Sequence, residues 1–592
     1  MNRFFYRVVL FLSMLVFVVW SQIASQPAKT IVDRDLAVLA RHEFSHERIG
    51  ALSQDEKKLF YHLIKTGEIM DEIYLDQVHP LNKTWVTALQ SLKSAGDKTA
   101  EKILEYFFIS FGPWSVFEKE EWIIPDRLLP QWVPVNIPRL KGYNLYPYET
   151  RDGIMQSVSI KELDNWLKSN PQDTDAFKSP FTVIRRSADQ KGFVAIPYAV
   201  YYKKPLTEAA WHLEQAALYV SEASVKTLLT NKAEAFRTNN FYATDVFWVK
   251  THDAELQLLI GPYEESIDEI WGVKRGFGMR IGFKDQLGTA DLQTYKSLEA
   301  QFQANLPIDA KYHPDKQKEP FFTVWRQIYT AGDSRQGVQT LGQKLTNDRK
   351  FTIEHGARQS FYRNSQDGKC EKTLKPLANL VLASEHLPDV ACDAFFKSTL
   401  HHEYAHALGV VFWYPDWDNP DPKTRKEVND NLPTWGGKLE ELKADTLGCY
   451  NQQYMFNAKL EDPARQRQMY ATMVVGFFRS VRFGMNSSYA LNAMIMLNHL
   501  VDAGAVIFDE NEDGRIRIIA DKVAAVLKDN ARDALMLQVK NNDAAVGDYF
   551  TKWAVVRPQT QKLLDRIKDA GLPRDLYPVF PVLKELGLDN DL

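Results

Sequence analysis

Residues 400–409, LHHEYAHALG, set three histidines and a glutamate inside a run that otherwise reads as a buried helix. Either these are polar residues satisfied inside a fold, or they are a metal site. His402, Glu403 and His406 form the pattern H-E-x-x-H. Side chains three and four apart share a helix face, so His402 and His406 can both point an imidazole nitrogen at one ion. Glu403 lies beside them, near the ion but not on it, where a carboxylate can take a proton from water activated by the metal. His401 points about 100° away from His402 on an ideal helix, which makes it a packing or supporting residue. Tyr404 and Ala405 read as core.

The pattern by itself is weak, since a chain of this size contains it by chance on the order of one time in a hundred. Catalytic zinc uses three protein ligands and one open position, so a third ligand has to come from another element. KLEELKAD, residues 438–445, offers one. Leu439, Leu442 and Leu447 mark a helical apolar stripe, and Gly436 and Gly437 mark the entry to that helix. Glu441 and Asp445 are four apart; with Glu441 on the metal, Asp445 can accept the other N–H of a ligand histidine and fix its tautomer. The connecting YPDWDNPDPKTRKEVNDNLPTW holds four prolines. Proline cannot continue a helix, so the chain can reverse there and bring the two helices together. The competing reading of Glu440, Glu441 and Asp445 is a solvated helix face.

H-E-x-x-H followed by E-E-x-K-A-D resembles the dipeptidyl peptidase III metallopeptidases, in the shorter branch associated with Nudix hydrolases. MDEIYLDQV (70–78), IGPYEESIDEIWGVK (260–274), YTAGDSRQGVQTLGQKLTND (329–348) and FFRSVRFG (477–484) are similar to further blocks of that family, so the resemblance spans about residues 55–570. No Nudix box is present, and Nudix activity is not implied. The resemblance implies an α+β, mainly helical fold with two lobes around a wide cleft and the zinc site on a helical lobe. It implies one Zn2+ per chain held by His402, His406 and Glu441, with Glu403 as the base, and puts Glu440 and Asp445 on supporting positions. Glu264 falls where the family holds the substrate's free amino group, and Asn347 where it helps hold the peptide N-terminus; the plain alternative for Glu264 is a turn residue after a strand. There are two departures. Ser266 stands where the family usually has a transition-state-stabilising Tyr, and Tyr489 stands where it has a His, so Tyr489 is the candidate oxyanion donor.

The expected activity is release of dipeptides from the N-terminus of short peptides. The alternatives are a weak or inactive relative that binds peptides, and a secreted zinc endopeptidase. The rest of the chain accommodates these readings. With 45% hydrophobic and 25% charged residues over 592, it has ordinary globular composition. Lys plus Arg number 72 against 76 Asp plus Glu, with no run of one sign, which disfavours nucleic acid and anionic lipid as partners and leaves a peptide as the expected one. Residues 1–25 carry a basic start and the apolar run VVLFLSMLVFVVW, which predicts a signal peptide or an uncleaved N-terminal anchor and hence a secreted or periplasmic protein. Three cysteines exclude a disulfide scaffold; Cys370 and Cys392 could pair in an oxidising compartment, and Cys449 reads as a small buried residue. Asp509–Ile518 begins like a calcium loop but has Ala520 where a Glu is required, so it reads as a hairpin turn.

Periodicity predicts helices over 30–120, extended segments and turns over 121–205, a helical stretch over 206–236, strands at AELQLLIGPYE and GFGMRIGFKD, and helices from about 375. The domain expectation is a mixed α/β substrate-binding lobe at 26–350, a mainly helical zinc-binding lobe at 351–570 and a C-terminal segment at 571–592. Sequence leaves the oligomeric state open.

Overall fold

The structure is a computed structural model that describes residues 30–117, 120–151, 154–313 and 321–588. The expected signal or anchor lies outside the described residues. Among the described residues no helix is long and apolar enough to cross a membrane. The chain divides into two compact units, one holding residues up to Ala37 with Leu81–Arg139, the other Val38–Pro80 with Leu140–Leu592.

The smaller unit is built on the helices Ile31–Ala37, Asn82–Ser94 and Lys98–Ser110. Asp97 caps the third through the backbone N–H groups of Thr99 and Ala100. Its buried carboxylate, Asp35, accepts hydrogen bonds from Tyr106 Oη at 2.7 Å and Ser115 Oγ at 2.5 Å, which satisfies a charge held away from water.

The larger unit opens with strand β1 (Leu39–Glu43) and helix α1 (Gln54–Val78). Ser53 and Glu56 close a reciprocal capping box at the start of α1. The α1 helix packs on α2 (Lys203–Tyr219) and on a five-stranded sheet. The sheet comprises β2 (Leu256–Glu264), β3 (Gly276–Lys284), β4 (Phe321–Gly332), β5 (Gly342–Leu345) and β6 (Arg358–Tyr362), in the order β2-β3-β4-β6-β5. The pair β4/β6 is parallel and the others are antiparallel.

Two edge strands across four gaps of about 4.8 Å would stand about 19 Å apart in a flat sheet. Yet the Gln343 amide of β5 hydrogen-bonds the Glu264 carboxylate at the end of β2. The sheet is therefore strongly curled. Register shifts at Pro262/Glu264 and Ile281/Gly282 help to coil it. At Gly282 a Cβ would lie 2.4 Å from the Arg326 carbonyl oxygen, so only glycine fits the tightest point of the curl. The enclosed face is polar: Arg280 donates to Gln327 at 2.6 Å and covers the Tyr362 ring at 4.6 Å, and Tyr362 Oη donates to Gln343 at 2.6 Å.

The C-terminal half supplies helices α3 (Cys392–Ala405), α4 (Gly436–Asn457), α5 (Ala464–Val481), α6 (Ser488–Asp502) and α7 (Ala520–Lys540), followed by strand β7 (Asp575–Val579). The α3–α4 pair forms a hairpin, and α7 packs against α4. Apolar residues of both helices, among them Leu400, Tyr404, Leu439, Leu442 and Leu447, lie in one buried cluster with Ala531 and Leu535 of α7. The fold is α+β and mainly helical.

The structure departs from the sequence reading in several places. Residues 30–120 are not one helical layer: they are split between the two units, and β1 pairs in parallel with β7. A partner 536 residues away (575 − 39) leaves no local signal. Within 121–205, Ile160–Ser169 is an amphipathic helix capped by Ser159, which a reading of the whole stretch from the Pro-rich run at 125–138 passes over. The 206–236 stretch is two helices, α2 and Ala223–Thr238. By contrast, residues 506–518 form the expected hairpin, whose Asp509 is engaged by Arg517 at 2.5 and 2.9 Å. Cys449 is half-buried, with burial, then the Asp445 charge, pushing its thiol up to about 12.

Cys370 and Cys392 form a disulfide that ties the first residue of α3 to the buried start of the π-helical segment Cys370–Leu374, 22 residues earlier. Closing a loop of that length is worth about 3 kcal/mol. Cys392→Ser is expected to lower the urea-unfolding free energy by about that amount, and an unchanged unfolding midpoint would show that packing alone holds this end of α3.

Candidate metal centre

The motif sits at the end of a helix and not, as the sequence suggested, in its middle. Regular α3 stops at Ala405; His406 keeps helical angles (φ −60°, ψ −32°) as the capping residue, so it still shares a face with His402. Their rings stand 4.9 Å apart and almost perpendicular. From α4, Glu441 brings Oε2 to 3.4 Å from His402 Nε2 and Oε1 to 4.0 Å from His406 Nε2. One atom from each of the three residues falls within 4.8 Å of the others.

What stops the helix is a lysine. Lys443, 1% exposed, donates from Nζ to the carbonyl oxygens of Ala405, His406 and Leu408 at 2.9, 3.1 and 3.0 Å. It thereby satisfies the carbonyls a helix end leaves free. The same ammonium lies 2.8 Å from Glu440. The two helices can come this close because of Gly448, where a Cβ would meet His402 N at 3.0 Å and His401 C at 3.1 Å.

Each imidazole is held from behind by a carboxylate. His402 Nδ1 is 2.8 Å from Asp445 Oδ1, and His406 Nδ1 is 2.9 Å from Glu440 Oε1. These acids are in turn fixed: Asp445 Oδ2 accepts from Asn492 at 2.8 Å, and Glu440 Oε2 from Gln538 at 3.0 Å. Burial opposes the charge on Glu440, but Lys443 and His406 outweigh it and hold its pKa down at about 2. An ionised carboxylate only accepts, so each Nδ1–H donates to its acid, and both Nε2 atoms are left facing Glu441. Glu441 Oε2 is itself buried and accepts no hydrogen bond. Two imidazole nitrogens and a carboxylate oxygen thus converge, an arrangement that a cation, a proton included, stabilises. Burial opposes a charge on His402, yet Asp445, Glu441 and Glu403 hold its imidazolium pKa well above the usual value, which shows how strongly the pocket favours positive charge. Two imidazoles and a carboxylate with room for a fourth ligand suit zinc.

Glu403 borders two cavities. On the His402 side it faces Leu341, Gly342, Ser398, Arg479 and Tyr489. On the His406 side it faces Lys344, Gln359, Val428 and Asn429. Strand β5 is thus the opposite wall of both. Tyr489, 52% exposed, has its ring 6.0 Å from that of His402. Burial of its hydroxyl end and the carboxylates of Glu441, Glu403 and Asp445 push its pKa up, so the phenol stays a hydrogen-bond donor. Glu264 is joined through Gln343 to β5, whose neighbouring residues line both cavities. Its charge, added to burial, raises the Asp333 carboxyl to about 7. Asn347 is exposed in the loop after β5, and Ser266 is exposed in the turn after Glu264. His401 turns away from the site: its ring lies 4.0 Å from Tyr295, and burial pushes its pKa down to about 3.

Lys443, Gly448, Asn492 and Gln538 were not singled out in the sequence. Lys443 carried a signal in standing among the acids of KLEELKAD at a position turned into the hairpin; the other three carry none locally.

A helical hairpin that sets two imidazoles, a carboxylate and a neighbouring glutamate against a curled sheet is an arrangement able to hold a metal ion beside a base. The comparisons place it further, and the chain belongs to the dipeptidyl peptidase III family. The structure of DPP III from Caldithrix abyssi is 33% identical with a TM-score of 0.83, over 94% of this chain and 100% of that one. The structure of dipeptidyl-peptidase III from Corallococcus sp. strain EGB is 30% identical with a TM-score of 0.71, over 95% of this chain and 99% of that one. Nudix hydrolase 3 of Arabidopsis thaliana is 27% identical over 579 residues, 91% of this chain and 72% of that protein. No family model matches the chain.

Lys443→Met would leave three carbonyls without a donor and Glu440 without its counter-charge. The expected cost is about 3–5 kcal/mol in unfolding free energy, together with weaker binding of a divalent metal in a chelator competition. Unchanged values in both measurements would remove the role given to this lysine.

Proposed function

We propose that the protein is a zinc-dependent dipeptidyl peptidase that releases dipeptides from the free N-terminus of short peptides. The observation that carries this is the convergence of two imidazole nitrogens and a carboxylate oxygen, with Glu403 beside them and open to both cavities. His402, His406 and Glu441 would hold the ion, which when bound supplies Lewis acidity towards water and the peptide carbonyl. Glu403 takes a proton from the attacking water and returns it to the departing amine. Tyr489 donates a hydrogen bond to the carbonyl oxygen as negative charge develops there. Asp445 and Glu440 keep both imidazoles in the ligating tautomer.

Dipeptide release requires recognition of an ammonium group at a fixed distance from the bond cut. Glu264 offers a charge-assisted acceptor, and Asn347, at the far end of β5, a further polar contact. The Cys370–Cys392 bridge supports assigning the protein to an oxidising compartment outside the cytoplasm.

Two comparisons test this reading. Glu403→Gln should keep stoichiometric zinc and lose nearly all peptidase activity, whereas His402→Ala and Glu441→Ala should lose the zinc itself. Mass spectrometry of digests should show dipeptides from free peptides and little product from N-acetylated ones, with Glu264→Ala acting mainly on KM. Internal fragments from blocked peptides at similar rates would establish an endopeptidase instead.

A further inference from the structure

The cavity on the His402 side holds a cation that the reaction above does not use. Arg479, in the last turn of α5, lines it together with Ser398, Ser480, Glu403 and Tyr489. Among the described residues no carboxylate or carbonyl hydrogen-bonds its guanidinium, and its one ring contact is loose, 5.4 Å to the centroid of Phe395. The carboxylate whose charge reaches it, Asp575, is already committed: it forms an ion pair with Lys369 at 3.0 Å and accepts from the Gln339 backbone N–H at 2.6 Å.

Around that one acid stand Lys369, Arg479, Arg482 and Arg574. Burial, then the charges of Arg479 and Arg574, push Arg482 down to about 10. Leaving Arg574 aside, three cations, Lys369, Arg479 and Arg482, share this one carboxylate. A half-buried guanidinium lacking a partner is costly unless an anion completes it, and a carboxylate matches its paired N–H groups.

Its place along the site gives the register. Phe395 and His402 lie seven residues apart on α3, about 10 Å along the helix axis, and Arg479 sits at the Phe395 end. Extended peptide covers about 3.3 Å per residue, so the cation stands about two to three residues from the bond cut. The direction follows from β5: its Leu341–Gly342 end walls this cavity, while Lys344, on the way to Asn347, walls the other. An amino terminus held towards Asn347 sends the carboxyl end of the peptide to Arg479.

We propose that Arg479 binds a substrate carboxylate two to three residues beyond the scissile bond, making the enzyme selective for short peptides that end there, or that carry an acidic side chain there. This rests on the dipeptidyl peptidase reading and adds to it a specificity for the leaving part of the substrate.

The test uses the zinc-loaded enzyme with a pentapeptide as free acid and as C-terminal amide. A longer amidated pair carries Glu or Gln at the corresponding position. For wild type, kcat/KM is expected to favour the free acid by about 10- to 100-fold, the usual worth of a charged hydrogen bond. Arg479→Gln should abolish that ratio, mainly through KM and at unchanged zinc content, and Arg479→Lys should restore part of it. Discrimination of Glu from Gln without discrimination of acid from amide would assign the carboxylate to a side chain. Equal rates for both pairs in wild type, or an unaltered ratio in Arg479→Gln, would overturn the proposal. If no peptide is cut at all, the peptidase reading fails by itself; calorimetric binding of the same pairs to wild type and Arg479→Gln then decides this one by the same ratio.

Discussion

The site depends on the proton positions of two imidazoles. His402 and His406 turn their Nε2 atoms to one point because Asp445 and Glu440 accept hydrogen bonds from their Nδ1–H groups. Without those acids each ring would be free to present a proton to Glu441, and the cluster would close on itself through hydrogen bonds. The supporting layer reaches across three helices: Asp445 and Glu440 come from α4, Asn492 from α6 and Gln538 from α7. A cavity between two helices is thereby converted into a site whose charge is completed from outside the chain. The cost of burying these polar groups is offset in part by the pairing of each imidazole with its acid and of each acid with an amide.

Lys443 links this electrostatic arrangement to the backbone. One ammonium both terminates α3 and neutralises Glu440, so the end of the helix and the tautomer of its last histidine are set by the same charge. Because the helix ends at Ala405, His406 stands at the mouth of the site and Glu403 remains open to cavities on both sides. A helix running on through Leu408 would carry backbone where the His406-side cavity now opens.

Much of the candidate metal site was legible in the sequence because its residues are local: H-E-x-x-H and E-E-x-K-A-D each span less than two turns of helix, and the prolines between them announce the reversal. The strands at 256–264 and 276–284 were equally readable from apolar stretches punctuated by Gly and Pro. What sequence could not give was whatever depends on long-range closure. The curl that brings Glu264 to Gln343, the parallel pairing of β1 with β7 and the division of residues 30–120 between two units all join residues with no common periodicity. The same holds for Asn492, Gln538 and Arg479, each an unremarkable polar position on an ordinary helix whose significance comes from the element it meets.

The pairing of Leu39–Glu43 with Asp575–Val579 also bears on how the molecule is made. At about 5–20 residues per second, the second strand leaves the ribosome roughly half a minute to two minutes after the first. Through that interval the early strand is an uncovered edge, the kind of surface on which nascent chains associate wrongly. Its sequence, LARHE, has two small or aliphatic residues followed by three that can carry charge, and it is nowhere fully buried even when paired. A strand this polar can wait in water without recruiting neighbours, so the large unit can be finished by its last segment without exposing a sticky edge in the meantime.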